Sequence, residues 1–162
     1  MDKQEFIGVY REHARRLYNF ILWTTGNKAS SDDILQNVFV KVWNHGILPR
    51  DEEEQRKVMF TIARNACRDH FRSASRFSQL CSKYSSEPTL QHNDYEQKQA
   101  GISWQLVSSL PETERCILYL HLKIGYTYGE IASMMQLTEV NIRVKICRAL
   151  KQLREVLKKA DE

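Results

Sequence analysis

Apolar side chains recur every three or four positions along most of this chain, and no convincing run alternates with a period of two. The pattern predicts an all-α protein. Phe6, Val9, Tyr10, Leu17, Phe20, Ile21 and Trp23 share helical spacing over 4–25. "TTGNKASSDD" interrupts that spacing with Gly26. Ser30 or Ser31 then caps a helix over 32–44, with Asp32 and Asp33 in its first turn. Ile34, Leu35, Val38, Phe39, Val42 and Trp43 lie on one broad face of it. The loop "NHGILPRD" leads to a third helix, capped by Asp51 and ending near Ser73. Glu52, Glu53 and Glu54 fill its first turn, where the helix dipole favours negative charge, so this acidic run needs no metal to explain it.

The pattern changes at 74–100. This stretch is rich in Ser, Gln and Asn, contains Pro88 and has weak periodicity, so it reads as a flexible linker with room for short helical pieces near its ends. At roughly 3.3 Å per residue its length reaches about 90 Å. That exceeds two turns of duplex DNA at about 34 Å per turn. Helical spacing returns with Ile102, Leu106, Val107 and Leu110. Pro111 sits at the first position of the next helix, with Glu112 and Glu114 in its first turn. That helix carries Ile117, Leu118, Leu120 and Leu122 and stops at Gly125. The expected architecture is two small helical domains, 1–73 and 101–162, joined by the linker 74–100.

The stretch "TYGEIASMMQLTEVNIRVKICRAL" explains the second domain. Thr127 and Glu130 fit a capping box, in which the hydroxyl and the carboxylate each satisfy a free backbone N–H. Ile131, Ala132, Met134 and Met135 give a short apolar face, Leu137 packs at the turn, and Thr138 caps a longer helix with Glu139 in its first turn. A short helix, a tight turn and a longer helix form a helix-turn-helix. At about 100° per residue, Ile142, Ile146, Leu150, Leu153 and Leu157 fall in one quadrant, and Ala149 widens that face. The opposite arc holds Val140, Asn141, Val144, Arg148 and Lys151, flanked by Arg143 and Lys145. In a major groove, Arg143 and Lys145 reach guanine edges or phosphates, Asn141 reaches adenine, and Val144 meets a thymine methyl. Arg148 and Lys151 lie further along and suit phosphates.

Charge and composition narrow the classes. The net charge of +4 permits nucleic-acid binding without demanding it. No stretch of about 18 apolar residues and no secretory leader is present, so direct membrane insertion is not expected and the cytoplasm is. Cys67, Cys81, Cys116 and Cys147 are far apart and read as free thiols; Cys116 and His121 lack a second pair to complete a zinc set. Without paired carboxylates or a nucleophile elbow, no enzyme activity, cofactor or metal is expected. Arg64, Arg68 and Arg72, four residues apart, form a basic stripe flanked by Asn65 and His70. Met59, Ile62, Ala63 and Ala66 pack behind it, with Phe60 and Phe71 near the boundary. Such a stripe beside aromatics suits a single nucleic-acid strand.

Taken together, these segments resemble the extracytoplasmic-function sigma factors of bacterial RNA polymerase. "DDILQNVFVKVW" is similar to the family's polymerase-binding helix and "FTIARNACRDHFR" to its −10 promoter helix. "LPETERCILYL" and "YTYGEIASMMQLTEVNIRVKICRALKQLRE" are similar to its −35-binding domain. The resemblance implies that Asp33, Gln36, Asn37, Phe39 and Trp43 dock on core polymerase, with Asp33 and Gln36 exposed. It implies that Asn65, with Arg64, Arg68 and Arg72, serves the melted −10 strand. The loop from Asn44 to Arg50 would form the pocket for a flipped base. Thr138, Glu139, Asn141, Arg143, Val144, Lys145 and Arg148 would read the −35 duplex. Asn37 stands where the family usually has an acid, and Val144 where many members have Ser or Thr. The partners implied are core polymerase, promoter DNA and an anti-sigma protein acting from outside the chain. With no obvious dimer helix, a monomer is expected. The alternative is a stand-alone helix-turn-helix regulator, which would dimerise on a palindrome.

Overall fold

The structure, a computed structural model, describes residues 1–46, 48–82 and 104–160. Regular structure among them is entirely helical: α1 (Lys3–Thr25), α2 (Lys28–His45), α3 (Glu52–Ser82), α4 (Trp104–Val107), α5 (Glu112–Leu118), α6 (Tyr128–Met135) and α7 (Glu139–Ala160). A π-helical turn over Tyr119–Ile124 continues α5. The all-α reading holds for the described residues.

The ends of the helices follow from local chemistry. Asp2 caps α1 by accepting from the N–H groups of Gln4 and Glu5, both at 2.8 Å, and the Glu5 carboxylate returns to the Asp2 N–H. Gly26 ends α1 at φ 65, where a side chain is disfavoured. α2 starts earlier than the serines suggested. Asn27 takes the cap, accepting from the Ser30 N–H at 2.9 Å. Ser31 lies inside the helix, buried, and bonds the Asn27 carbonyl at 2.7 Å and the Thr25 hydroxyl at 2.8 Å. Asp51 caps α3 through the Glu54 N–H at 2.9 Å, as expected. α3 does not stop near Ser73, however, but runs on to Ser82. Extending a formed helix costs far less than nucleating one, so a polar tail can remain helical without a core beneath it. Phe77 and Leu80 on that tail are exposed. Of the expected linker, 74–82 are therefore helical; 83–100, like Ile102, lie outside the described residues.

α1, α2 and α3 form the first bundle, with Leu17, Phe20 and Ile21 against Ile34, Val38, Val42, Met59 and Ala63. In the second, Ile117, Ile131, Met135, Ile142, Ile146, Ala149 and Leu153 pack together. Leu157, expected in that core, is 47% exposed, because the last turns of α7 overhang it.

The two bundles dock on each other and share one continuous core. Trp23 of α1 is buried and donates its indole N–H to the Arg115 carbonyl of α5 at 3.0 Å. The Thr24 hydroxyl meets the Cys116 sulfur at 3.6 Å. Phe20 packs edge-on against Tyr119, and Phe60 against Tyr126, with centroids 5.5 and 6.3 Å apart. Phe60, expected near a boundary, is fully buried because this second unit covers it. Lys57 of α3 and Glu130 of α6 close the rim with a 3.1 Å ion pair.

Candidate nucleic-acid and polymerase interfaces

The helix-turn-helix forms as its caps dictate. The Thr127 N–H donates to Glu130 Oε2 at 2.9 Å, and the Glu130 N–H returns to Thr127 Oγ1 at 3.3 Å. α6 ends at Gln136, a non-glycine residue held at φ 55. Thr138 then caps α7 through the Asn141 N–H at 3.2 Å. Thr138, Glu139, Asn141, Arg143, Val144 and Arg148 are all exposed, as are Val140 and Lys151. Arg143 is steered from two sides, by Glu139 at 3.4 Å and by the Tyr128 ring 5.7 Å from its guanidinium carbon. Lys145 departs from this open face. It is half-buried and pairs with Glu114 of α5 at 3.3 Å.

The arginine stripe on α3 is only partly open. Arg72 is exposed, whereas Arg64, Asn65 and Arg68 are half-buried. Arg64 donates to Asn65 Oδ1 at 2.9 Å. Burial, and then the neighbouring Arg68 charge, lower the Arg64 pKa from its ordinary value. The Arg68 Nε is buried with no hydrogen-bond partner among the described residues. Arg115 of α5 lies over the Phe71 ring at 5.6 Å, so the second unit sits against the stripe. His70 stacks edge-on with Phe71.

A third face lies between α1 and α2. It is an apolar groove of about 660 Å³. Lys3, Phe6 and Tyr10 line it from α1, and Leu35, Gln36, Phe39, Val40 and Trp43 from α2. Phe39 is the buried floor, while Trp43, Val40 and Tyr10 are 46%, 56% and 46% exposed. Phe6 stands edge-on to both Trp43 and Phe39, at 5.1 and 6.0 Å. Asp33, Gln36 and Asn37 are exposed on the same helix.

The chain matches the family description "Sigma-70 region 2" over residues 9–77 and "Sigma-70, region 4" over 104–153. The extracytoplasmic-function RNA polymerase sigma factor SigL of Mycobacterium tuberculosis is 25% identical over 154 residues, 92% of this chain and 86% of that protein. SigM of Bacillus subtilis, of the same class, is 24% identical over 149 residues, 90% of this chain and 91% of that protein. The chain belongs to the extracytoplasmic-function sigma factors. Two solved structures share the fold of this sigma factor. The sigma factor RpoE of Bartonella quintana, in complex with the anti-sigma factor NepR, aligns with a TM-score of 0.71 at 21% identity, over 96% of both chains. CnrH, in complex with the cytosolic domain of CnrY, aligns with a TM-score of 0.66 at 22% identity, over 99% of this chain and 92% of that one.

Several residues of these faces escaped the sequence reading. Phe6 and Tyr10 showed only helical spacing in the sequence, yet they complete the groove from α1. Glu114 and Tyr128, which hold Lys145 and Arg143, carried no signal beyond a first-turn acid and an aromatic. Among the described residues no group of three or more His, Cys, Asp or Glu could hold a metal, and no helix is long and apolar enough to cross a membrane. Cys67 and Cys116 are buried free thiols, and burial pushes Cys116 up to about 11, which leaves it protonated and unreactive.

Proposed function

We propose that the three faces divide the work of promoter recognition. The open arc of α7 from Thr138 to Arg148 reads the −35 duplex, the α3 stripe from Arg64 to Arg72 holds the melted −10 strand, and the α1–α2 groove docks on core polymerase. In this division 1–73 serves polymerase and the −10 strand, 101–162 serves the −35 element, and 74–100 joins them. The chain is not an enzyme on this reading; the polymerase supplies the catalysis, in the cytoplasm. The observation that carries the reading is the exposed polar face of α7, capped by Thr138 and braced by the capped helix α6.

The docked arrangement adds a regulatory step. With Arg64 and Asn65 half-covered, the free chain presents its −35 face and its groove but not its whole −10 stripe. The units must part before the strand is held. An anti-sigma protein, as NepR is in the related RpoE complex, would act by keeping the units together or by covering the groove. In vitro transcription with core polymerase and a library of genomic fragments tests the reading. Starts at promoters sharing −35 and −10 motifs are expected. Absence of starts together with absence of co-elution with core at low salt would discard it.

A further inference from the structure

The chain between α2 and α3 turns at Pro49, which has no N–H, so its carbonyl is the one backbone hydrogen-bonding handle it offers. Gln55 takes that handle, donating from Nε2 to the Pro49 carbonyl at 3.2 Å. A carbonyl can only accept. The amide nitrogen of Gln55 is therefore committed to Pro49, and its Oε1 faces His13 Nε2 at 2.8 Å. The hydrogen of that contact belongs to His13. His13 is 1% exposed, deep in the first bundle. A directed relay thus runs from α1 through α3 to the turn. The near end of the same turn is pinned separately: the Gly46 N–H bonds the Val42 carbonyl at 3.1 Å, and the Met1 ammonium bonds the Gly46 carbonyl at 3.2 Å. Half-buried Leu48 packs on the core, and Asp51 caps α3 beyond it.

We propose that Gln55, oriented by His13, is a positioning residue for promoter selectivity, fixing the turn at Pro49 in the shape that receives the flipped −10 base. This rests on the reading of that turn as the −10 pocket. Two facts favour it over a packing role. A hydrogen-bonded pair inside a bundle gains little in stability over apolar residues of the same shape. And the distinctive product of this pair is one immobilised loop carbonyl. Unstacking a base costs free energy that its pocket must return, and a loop already ordered does not spend that return on its own ordering.

The test is transcription by core polymerase and the full chain on promoters randomised through the −10 element, with wild type, Gln55→Ala and Gln55→Glu. Gln55→Glu keeps the length and an acceptor for His13 but sets a carboxylate oxygen against the Pro49 carbonyl. It carries the test should Gln55→Ala not fold. Both variants should lose roughly three- to tenfold discrimination at the −10 base, the effect of one lost hydrogen bond, with −35 preference and polymerase affinity unchanged. A purely structural role would lower the melting temperature and reduce starts equally at all promoters, leaving the −10 preference intact; that outcome overturns the proposal. Should wild type show −35 but no −10 preference, the reading of the pocket falls first, and the proposal with it.

Discussion

The two proposed DNA faces of this sigma factor differ in how much other work their residues do. On α7 the polar side chains between Thr138 and Arg148 look outward, and those that touch another element, Lys145 at Glu114 and Arg143 at Tyr128, do so within the second unit and not across the joint. On α3 the arginine stripe adjoins the surface against which the second unit docks, and Arg64, Asn65 and Arg68 are half-buried. A face braced from behind by its own domain is ready at once. A face beside a docking surface is conditional on undocking. On this reading duplex recognition precedes strand capture because of where the shared core lies.

Breaking the docking should have the largest effect. Trp23→Ala removes a buried indole and its bond to Arg115, a loss of about 3 kcal/mol for such truncations. We expect the free protein to expand in small-angle scattering and to bind a single-stranded −10 oligonucleotide more tightly, with −35 affinity unchanged. No change in dimensions would mean that the docked form does not persist in solution. Arg143→Ala should weaken the −35 duplex by about 1–3 kcal/mol and relax one base position, by fluorescence anisotropy, without touching the −10 strand. Equal loss on both DNAs would erase the contrast. Trp43→Ala should cost about 2 kcal/mol of core-polymerase affinity, as a centrally placed aromatic does, and leave both DNA affinities alone.

Acid and base should act least, and on the rim only. Glu130 is held below its ordinary value of 4.5, first by the Thr127 N–H and then by Lys57. Its contribution is present above about 4.5 and is lost as pH falls through the lowered value. Lys57 is raised above 10.5, chiefly by Glu130, so its contribution is present below that pH and lost as pH rises through the raised value. Docking followed by scattering should therefore be flat between these limits, and Glu130→Gln should remove the acid limb. A slope near neutrality would point to another group.

Much of this was legible in the sequence because local rules decided it. The capping box at Thr127, the Asp51 cap and the Gly26 stop depend on neighbours within four residues. The polar arc of α7 follows from period alone. The misses share a cause too. Asn27 displaced the serines because Ser31 was drawn inward to tie α1 to α2, a tertiary demand. The tail of α3 has helical backbone without helical patterning. Phe60 reads as a boundary residue and Trp23 as one apolar position at helical spacing, and nothing local says that they meet a second domain. Lys145 looked like its neighbours on the helical wheel, but Glu114 is distant in sequence and claims it.

The Glu130 carboxylate is used twice, and on different atoms. Oε2 completes the cap of α6, bonding the Thr127 N–H, while Oε1 meets Lys57 across the joint. Withdrawing Lys57 therefore leaves the cap whole. The rim contact behaves as a catch mounted on a finished part: the second unit can be released and re-engaged with its DNA-reading helix pair already built. On the proposed undocking, opening the molecule would cost the joint alone and would leave the helix-turn-helix folded.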